Sequence, residues 1–506
     1  MKDVAFLPIA PEIVLFGAAL VVLIGHVAFG WGSRIWAWVT GTAVAAAIGL
    51  SWIQWLRVDE MASGALHFSF KGAEADFVVL PALVMDHFSA FAGMLIFSVA
   101  GLALVAGWGL VRTFESRGAE YVALVLISVT GMHLMAASAN LVMLFIGLET
   151  ASIALYVVAG FDRSRRNSDE ASMKYFLMGS FASAIFIYGV ALAFAAFGST
   201  SLYGVGSIGD PWDEAVRGIA DNPGVMLASV AFIIVGLGFK VSAAPFHQWA
   251  PDVYQGAPGG AVGLMSAGVK VAGFAALTRI FVAAFDVTVP REDWATALAV
   301  VAAISIVVGT VFAIVQTDFK RMLAYSGVAH AGYILTGIVA GIDGVPSMWF
   351  YLATYSFQLV GAFTVAAIVS GQRGGPNAIA DYVGLYARAP LLAMSLGTLM
   401  IAMGGIPATS GFVGKLGVFS AAAGNGYLWL VVIGVVAAAA GLFFYLRVIV
   451  VMFFEQPAGA GPGTALAPLS VGRGPIMVVL VAVAITLFFG LVPWPLLNWV
   501  QWALPL

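Results

Sequence analysis

Four side chains that are charged in water fall inside apolar runs: Glu149 in LFIGLETASIAL, Lys240 in GLGFKVSAAP, Lys270 in SAGVKVAGFAAL and Lys415 in GFVGKLGVF. An amine taken out of water holds its proton less firmly, and a carboxylic acid holds its proton more firmly. Both therefore move toward neutrality and can exchange protons at working pH. A carboxylate nearby keeps an amine charged, and moving it away frees the proton. The chemistry these residues suit is proton transfer. The plain alternative is a static ion pair that locks two helices together. Three lysines with one carboxylate leave basic groups over, which favours a path. Histidine can shuttle protons near neutral pH, so His247 and His330, in AAPFHQWAP and SGVAHAGY, are candidate relays. Ser152, Tyr325 and Thr409 could bond water in a proton wire, although packing is the simpler role for each.

Two of these residues lie beside breaks in helical sequence. GLGFKVSAAPFHQWAPDVYQGAP carries Pro245, Pro251 and Pro258, and GGIPATSGFVGK carries Gly404, Gly405, Pro407 and Gly411. Proline removes a backbone donor, and non-helical backbone at membrane depth is tolerated only inside protein or beside a wet cavity. Broken helices at matching positions of two halves are the best sequence pointer to a transport site.

The surrounding elements must be membrane helices. Of 506 residues, 62% are hydrophobic and 9% charged, against roughly a quarter charged in soluble domains. A span needs about 20 mostly apolar residues. Such runs are expected near 12–30, 35–56, 82–110, 120–138, 140–160, 174–198, 226–255, 259–284, 294–314, 322–341, 345–370, 391–424, 427–454 and 475–497. That is an all-α polytopic membrane protein of about fourteen spans, with the seventh and twelfth broken. The first run is expected to be a retained span, being too long for a cleaved signal peptide. The longest polar connections lie near 57–80, 199–223 and 455–474, and none is large enough for a soluble domain.

Charge placement supports the even count. Alternate loops collect thirteen of the 22 basic residues: Arg34, Arg112, Arg117, Arg163, Arg165, Arg166, Lys174, Lys320, Arg321, Arg373, Arg388, Arg447 and Arg473. The other set holds six, Lys2, Arg57, Lys71, Arg217, Arg279 and Arg291, with acidic Asp210, Asp213, Glu214, Asp221, Asp286, Glu292 and Asp293. The positive-inside rule puts the first set in the cytoplasm and both termini outside. The three basic residues left over are the lysines named above, and Glu149 is the one carboxylate in their situation. Asp86, at the outer edge of the third span, is expected to be solvated. His26, His67, His87 and His133 are read as interfacial, and Trp494, Trp499 and Trp502 as an aromatic belt.

Pro245 and Pro407 are 162 residues apart, about five spans. An odd offset inverts the second copy, so spans four to eight are expected to repeat, inverted, in spans nine to thirteen. The single membrane domain, 1–506, then divides into 1–115 (first three spans), 116–285 (first repeat), 286–455 (second repeat) and 456–506 (last span). Net charge is −3, with no long basic run to bind nucleic acid, and cysteine is absent. Disulfides and iron–sulfur ligation by cysteine are thereby excluded. No phosphate-binding glycine loop and no metal-ligand spacing stands out.

At these residues the chain resembles the antiporter-like membrane subunits of respiratory complex I, most closely their N-subunit branch. The resemblance rests on LFIGLETASIALYVVAGF at 144–161, DEASMKYFLMGSFASAIFIYGVAL at 169–192 and FKVSAAPFHQWAPDVYQGAP at 239–258. It continues in SAGVKVAGFAALTRI at 266–280, QTDFKRMLAYSGVAHAGYIL at 316–335 and GGIPATSGFVGKLGVFSAA at 404–422. It implies a fourteen-helix bundle with two inverted five-helix repeats. It also implies a hydrated axis of Glu149, Lys240, Lys270 and Lys415, with His247 and His330 as relays. Glu149 and Lys240 would act as a coupled pair, Lys270 would relay, and Lys415 would exchange protons with the outer side. The chain would carry no cofactor. Flavin, iron–sulfur clusters and quinone would belong to partner subunits, and neighbouring antiporter-like subunits would be partners. The expected setting is a bacterial inner membrane, with protons and ordered water as the mobile species.

The related L branch has an added lateral helix where this chain ends soon after its last span. The M branch has glutamate where this chain has Lys415. Multi-subunit cation/proton antiporters share the core and remain the alternative, as does a purely structural membrane subunit.

Overall fold

The computed structural model describes residues 6–59, 66–68, 82–203, 207–208, 223–371, 377–456, 469 and 471–505. Lys2, Lys71, Asp210, Asp213, Glu214, Arg217, Asp221 and Arg373 lie outside them. The principal helices are α1 (Ala10–Phe29), α2 (Ser33–Asp59), α3 (His87–Val111), α4 (Gly118–Ala137), α5 (Leu141–Ala159), α6 (Arg166–Phe197), α7 (Pro223–Lys240), α8 (Trp249–Gly256) and α9 (Gly259–Thr278). They continue with α10 (Arg291–Val315), α11 (Phe319–Val339), α12 (Val345–Val369), α13 (Pro390–Gly404), α14 (Ser410–Gly424), α15 (Leu428–Phe453), α16 (Arg473–Leu491) and α17 (Trp494–Val500).

Among the described residues, thirteen helical segments are long and apolar enough to cross a membrane. The twelfth crossing is made by α13 and α14, two halves of fifteen residues each. The seventh is made by α7 and the short α8. Both breaks expected from proline and glycine are therefore present. One feature departs from an all-helical reading. Leu66–Phe68 pairs antiparallel with Leu83–Met85, so the third span begins at His87 rather than near residue 82.

Polar caps fix where several spans begin. Asp86 accepts from the backbone N–H of Ser89 at the start of α3, and Ser89 returns the bond. Asn140 caps α5 by accepting from Met143, and Asp318 caps α11 by accepting from Arg321. These side chains satisfy backbone donors that a helix start leaves orphaned.

Two helix pairs are built alike. A Cβ on Gly131 of α4 would lie 2.3 Å from the backbone of Ala151 in α5, and one on Gly309 of α10 would lie 2.3 Å from that of Ala329 in α11. Bare backbone lets each pair approach closely, as small residues do between membrane helices. Each pair is also closed in the same way. Leu141 donates to Thr200 and Leu202 to Ala139, while Phe319 donates to Asn377 and Ile379 to Thr317. In both cases the segment before the second helix bridges to the segment after the third.

The middle of the bundle is formed by α9, α11 and α12. In α11, 94% of the apolar stretch is buried, against 28% in α16. The outward faces carry large apolar side chains such as Phe181, Val436 and Phe443, as lipid contact requires.

Candidate functional site

Glu149 sits in the middle turn of α5 on a half-buried face, and its Oε1 has no hydrogen-bond partner. Ser152 is one turn further along the same helix. Lys240, the last residue of α7, is buried and donates through Nζ to Ser152 Oγ, which itself donates to the carbonyl of Leu148. The rings of Tyr156, Tyr175 and Phe239 surround the amine, with centroids at 5.6, 5.9 and 5.6 Å. Glu149 is within electrostatic reach of Lys240. The amine's bond goes to the serine hydroxyl, so the two are not joined as a contact ion pair.

The break after Lys240 is stabilised from three directions. Ser242 adopts a left-handed backbone with φ of 58°. The carbonyl of Phe239, at the end of α7, accepts from the backbone N–H of Ser242 at 3.1 Å and from the indole N–H of Trp249 at 3.0 Å. The backbone N–H of Ala244 donates to Ser305 Oγ of α10 at 2.8 Å. His247 is half-buried beside Tyr325, ring centroids 6.0 Å apart, and its Nδ1 is buried without a partner.

Lys270 lies on α9, and its Nζ donates to the carbonyl of Gly327 on α11. A Cβ at Gly327 would meet that Nζ at 3.1 Å, so the glycine admits the amine to the helix. One turn on, His330 stacks on Tyr355 at 4.1 Å with the planes 4° apart. Tyr351 Oη lies 2.8 Å from His330 Nδ1, and Tyr445 Oη lies 3.0 Å from Nε2. Tyr445 also bonds Ser326 Oγ at 2.5 Å. A neutral imidazole donates through one nitrogen and accepts at the other. Moving each proton by one bond reverses that orientation, so the cluster can carry a proton in either direction. Both Lys270 and Lys415 are within electrostatic reach of His330.

Lys415 belongs to α14 but reaches back across the second break. Its Nζ donates to the carbonyls of Met403 and Gly404, each at 2.9 Å. These belong to the end of α13, where helix carbonyls lack partners and the dipole is negative. Tyr333 faces the same amine at 5.0 Å. Gly405, at φ of 84°, turns the chain there, and a side chain on it would strike Lys415. Beside this break Gln358 of α12 donates to Ser410 Oγ at 3.1 Å.

Five of the six candidates lie on helices of the bundle and His247 lies in the break between α7 and α8; Lys270, His330 and Lys415 gather in one zone and Glu149 with Lys240 in another. Residues the sequence reading passed over join them. Aromatic content reads as lipid-facing or interfacial, yet Tyr333, Tyr351, Tyr355 and Tyr445 are buried around His330. Their only sequence signal is a helical spacing, such as 351 with 355, that ordinary core residues share.

Further expectations change at the span ends. Asp86 is not solvated: it is fully buried and held in two bonds by Arg279, at 3.0 and 2.7 Å. Arg279, counted among outer residues, also donates to Tyr203 Oη at 2.8 Å and to the carbonyl of Ala136. His133 is buried rather than interfacial, with Nδ1 2.7 Å from Oε1 of Glu12, so Glu149 is not the only buried carboxylate. Lys320, counted in a loop, has a buried Nζ without a hydrogen bond. Each lies at a span end, where neighbouring helices rather than local sequence decide exposure. Trp494 and Trp502 are exposed as a belt requires, whereas Trp499 packs against Trp55 and Phe91.

Residues 138–441 match the family described as NADH:quinone oxidoreductase/Mrp antiporter, transmembrane. A protein of Parafrankia sp. named NADH-quinone oxidoreductase subunit N is 39% identical over 98% of this chain and 94% of its own length. Among solved structures, a chain of respiratory complex I from Thermus thermophilus aligns with a TM-score of 0.78 at 30% identity, covering 96% of this chain and 98% of that one. A chain of the Mrp complex from a Dietzia species reaches a TM-score of 0.83 at 20% identity over 99% and 97%, a likeness of fold. By the match over residues 138–441 and the likeness to the Parafrankia protein, the chain belongs to the NADH:quinone oxidoreductase/Mrp antiporter family of membrane proteins.

Proposed function

We propose that this chain is a proton-translocating membrane subunit of an NADH:quinone oxidoreductase. One observation carries the reading. Amines, an imidazole and hydroxyls that are costly to strand in hydrocarbon occupy the interior of the bundle and bond one another or helix carbonyls. Lys240 takes its proton state from Glu149, and Ser152 holds the amine in place. Lys270 and Lys415 exchange protons through His330 and its tyrosines. His247, with a free ring nitrogen beside the first break, feeds the same axis. Ordered water completes the gaps between Lys240 and Lys270.

The redox work belongs to partners. Flavin, iron–sulfur clusters and quinone sit in other subunits, and neighbouring antiporter-like subunits flank this one. Both termini face outward from a bacterial inner membrane, as the loop charges favour. Spans four to eight repeat, inverted, in spans nine to thirteen. The recurring glycine crossing and the recurring bridge to the segment after the third helix support that symmetry.

The test uses the assembled complex in sealed vesicles. With Lys240→Ala or Glu149→Ala, NADH-driven proton uptake falls while the complex still assembles on native gels. Normal pumping in both variants would overturn the proposal. Co-purification with flavin and iron–sulfur proteins separates this reading from a cation/proton antiporter.

A further inference from the structure

α2, α3 and the first turn of α16 line an apolar trough of about 650 Å³ to which none of the three lysines contributes. That volume lies within the roughly 300–1,000 Å³ of ligand sites. Its walls are small or aliphatic residues, among them Gly41, Val44 and Ile48 of α2 and Gly101 and Val105 of α3. A Cβ on Gly41 would meet nothing within 4 Å, so this glycine does not serve helix packing and leaves the trough open.

One end of the trough runs into a second cavity of about 250 Å³ through Ala37, Trp108 and Arg112, which line both. The second cavity adds Ser33, Arg34 and Trp38. Arg34 and Arg112 are exposed, and neither makes an ion pair or side-chain hydrogen bond among the described residues. Trp38 is 75% exposed at the same level, where tryptophan marks the membrane–water boundary.

Length fixes the kind of ligand. From Ala37 to Ile48 the trough follows α2 for about 17 Å at 1.5 Å per residue. Half of a hydrocarbon core is about 15 Å. The cavity is therefore one leaflet deep, apolar along its length and doubly basic at its mouth. A helix from a partner subunit would fill the apolar part but leave two guanidiniums unanswered. Guanidinium recognises phosphate with paired, charge-assisted hydrogen bonds, and basic pockets between helices on the cytoplasmic side hold anionic head groups.

We propose that this trough binds one anionic phospholipid, its acyl chain against Gly41 and Gly101 and its phosphate between Arg34 and Arg112. The site bridges the second and third spans to the last one through a lipid. It needs only the membrane-spanning fold and is independent of the proton path.

The experiment uses the whole complex in nanodiscs with phosphatidylglycerol or phosphatidylcholine analogues carrying a photoreactive group in the acyl chain. Crosslinked peptides are then mapped by mass spectrometry. Phosphatidylglycerol should label segments 37–48 and 101–108 in preference to phosphatidylcholine. Arg34→Gln with Arg112→Gln should lower that labelling about 30-fold, the loss expected for two basic residues at a lipid surface. Gly41→Phe should block labelling by both lipids with the arginines intact; should that variant not assemble, the arginine pair decides alone. Equal labelling by the two lipids, unchanged by the arginine substitutions, would overturn the proposal. So would crosslinking of a partner subunit's peptide in the trough.

Discussion

The two broken spans hold their lysines by opposite means. At the seventh, the carbonyl of Phe239 is occupied by the backbone N–H of Ser242 and the indole of Trp249, which leaves Lys240 to bond a side-chain hydroxyl near a carboxylate. At the twelfth, Lys415 itself occupies the freed carbonyls of Met403 and Gly404, and its remaining close neighbour is the face of Tyr333. A helix end is a fixed partner, because its dipole is built from backbone. A carboxylate on a side chain is a movable one, because rotation about its single bonds changes the distance to the amine. The lesson is that one fold contains a lysine whose charge can be switched by a neighbour and a lysine whose charge is anchored by the scaffold.

The largest effects should come from removing either amine, and the two should differ in kind. General acid–base groups contribute about 10²- to 10⁴-fold, and a loss of that order in coupled proton transfer is expected for Lys240→Ala and for Lys415→Ala. Only Lys415→Ala also leaves two buried carbonyls without donors, at about 1–3 kcal/mol for each unsatisfied group. Thermal unfolding of the purified complex should therefore fall clearly for Lys415→Ala and little for Lys240→Ala. Equal loss of stability in both would erase the contrast.

A smaller effect is expected at the histidine. Tyr445→Phe removes the hydroxyl shared by Ser326 and His330. One buried bond is worth about 1 kcal/mol, so pumping should fall several-fold to about tenfold while quinone reductase assembly persists. Tyr351→Phe should act alike from the other ring nitrogen. If neither changes the proton-to-electron ratio, His330 is not a relay.

The lysines and the breaks could be read from sequence because each is conspicuous against its surroundings. Lys270 interrupts an apolar run, Pro245 follows the end of α7, and Gly405 with Pro407 marks the end of α13. The hydroxyls could not. Tyr333, Tyr351, Tyr355 and Tyr445 look like any aromatic of a membrane helix until three helices bring them to one imidazole. Asp86 and Arg279 are 193 residues apart, and each sits where a span end could equally face water. Glu12 and His133 hide in the same way, at the start of one span and near the end of another. A local pattern records the cost of burying a charge, but not the partner that offsets it.

The finest test of the contrast is Ser152→Ala. This substitution removes the acceptor of Lys240 Nζ without touching the carboxylate or the amine. A water molecule can replace a hydroxyl at modest entropic cost, about 0–2 kcal/mol, so the expected fall in pumping is a few-fold, and Ser152→Thr should restore most of it. Loss of the serine also frees the amine to turn toward Glu149. The double variant Ser152→Ala, Glu149→Gln should then fall further than the two single effects combined, because neither partner remains to hold the proton. No matching experiment exists at the twelfth span, where the acceptors are main-chain carbonyls that substitution leaves in place. Strict additivity in the double variant would mean that hydroxyl and carboxylate act on Lys240 independently, and that the seventh span is as fixed as the twelfth.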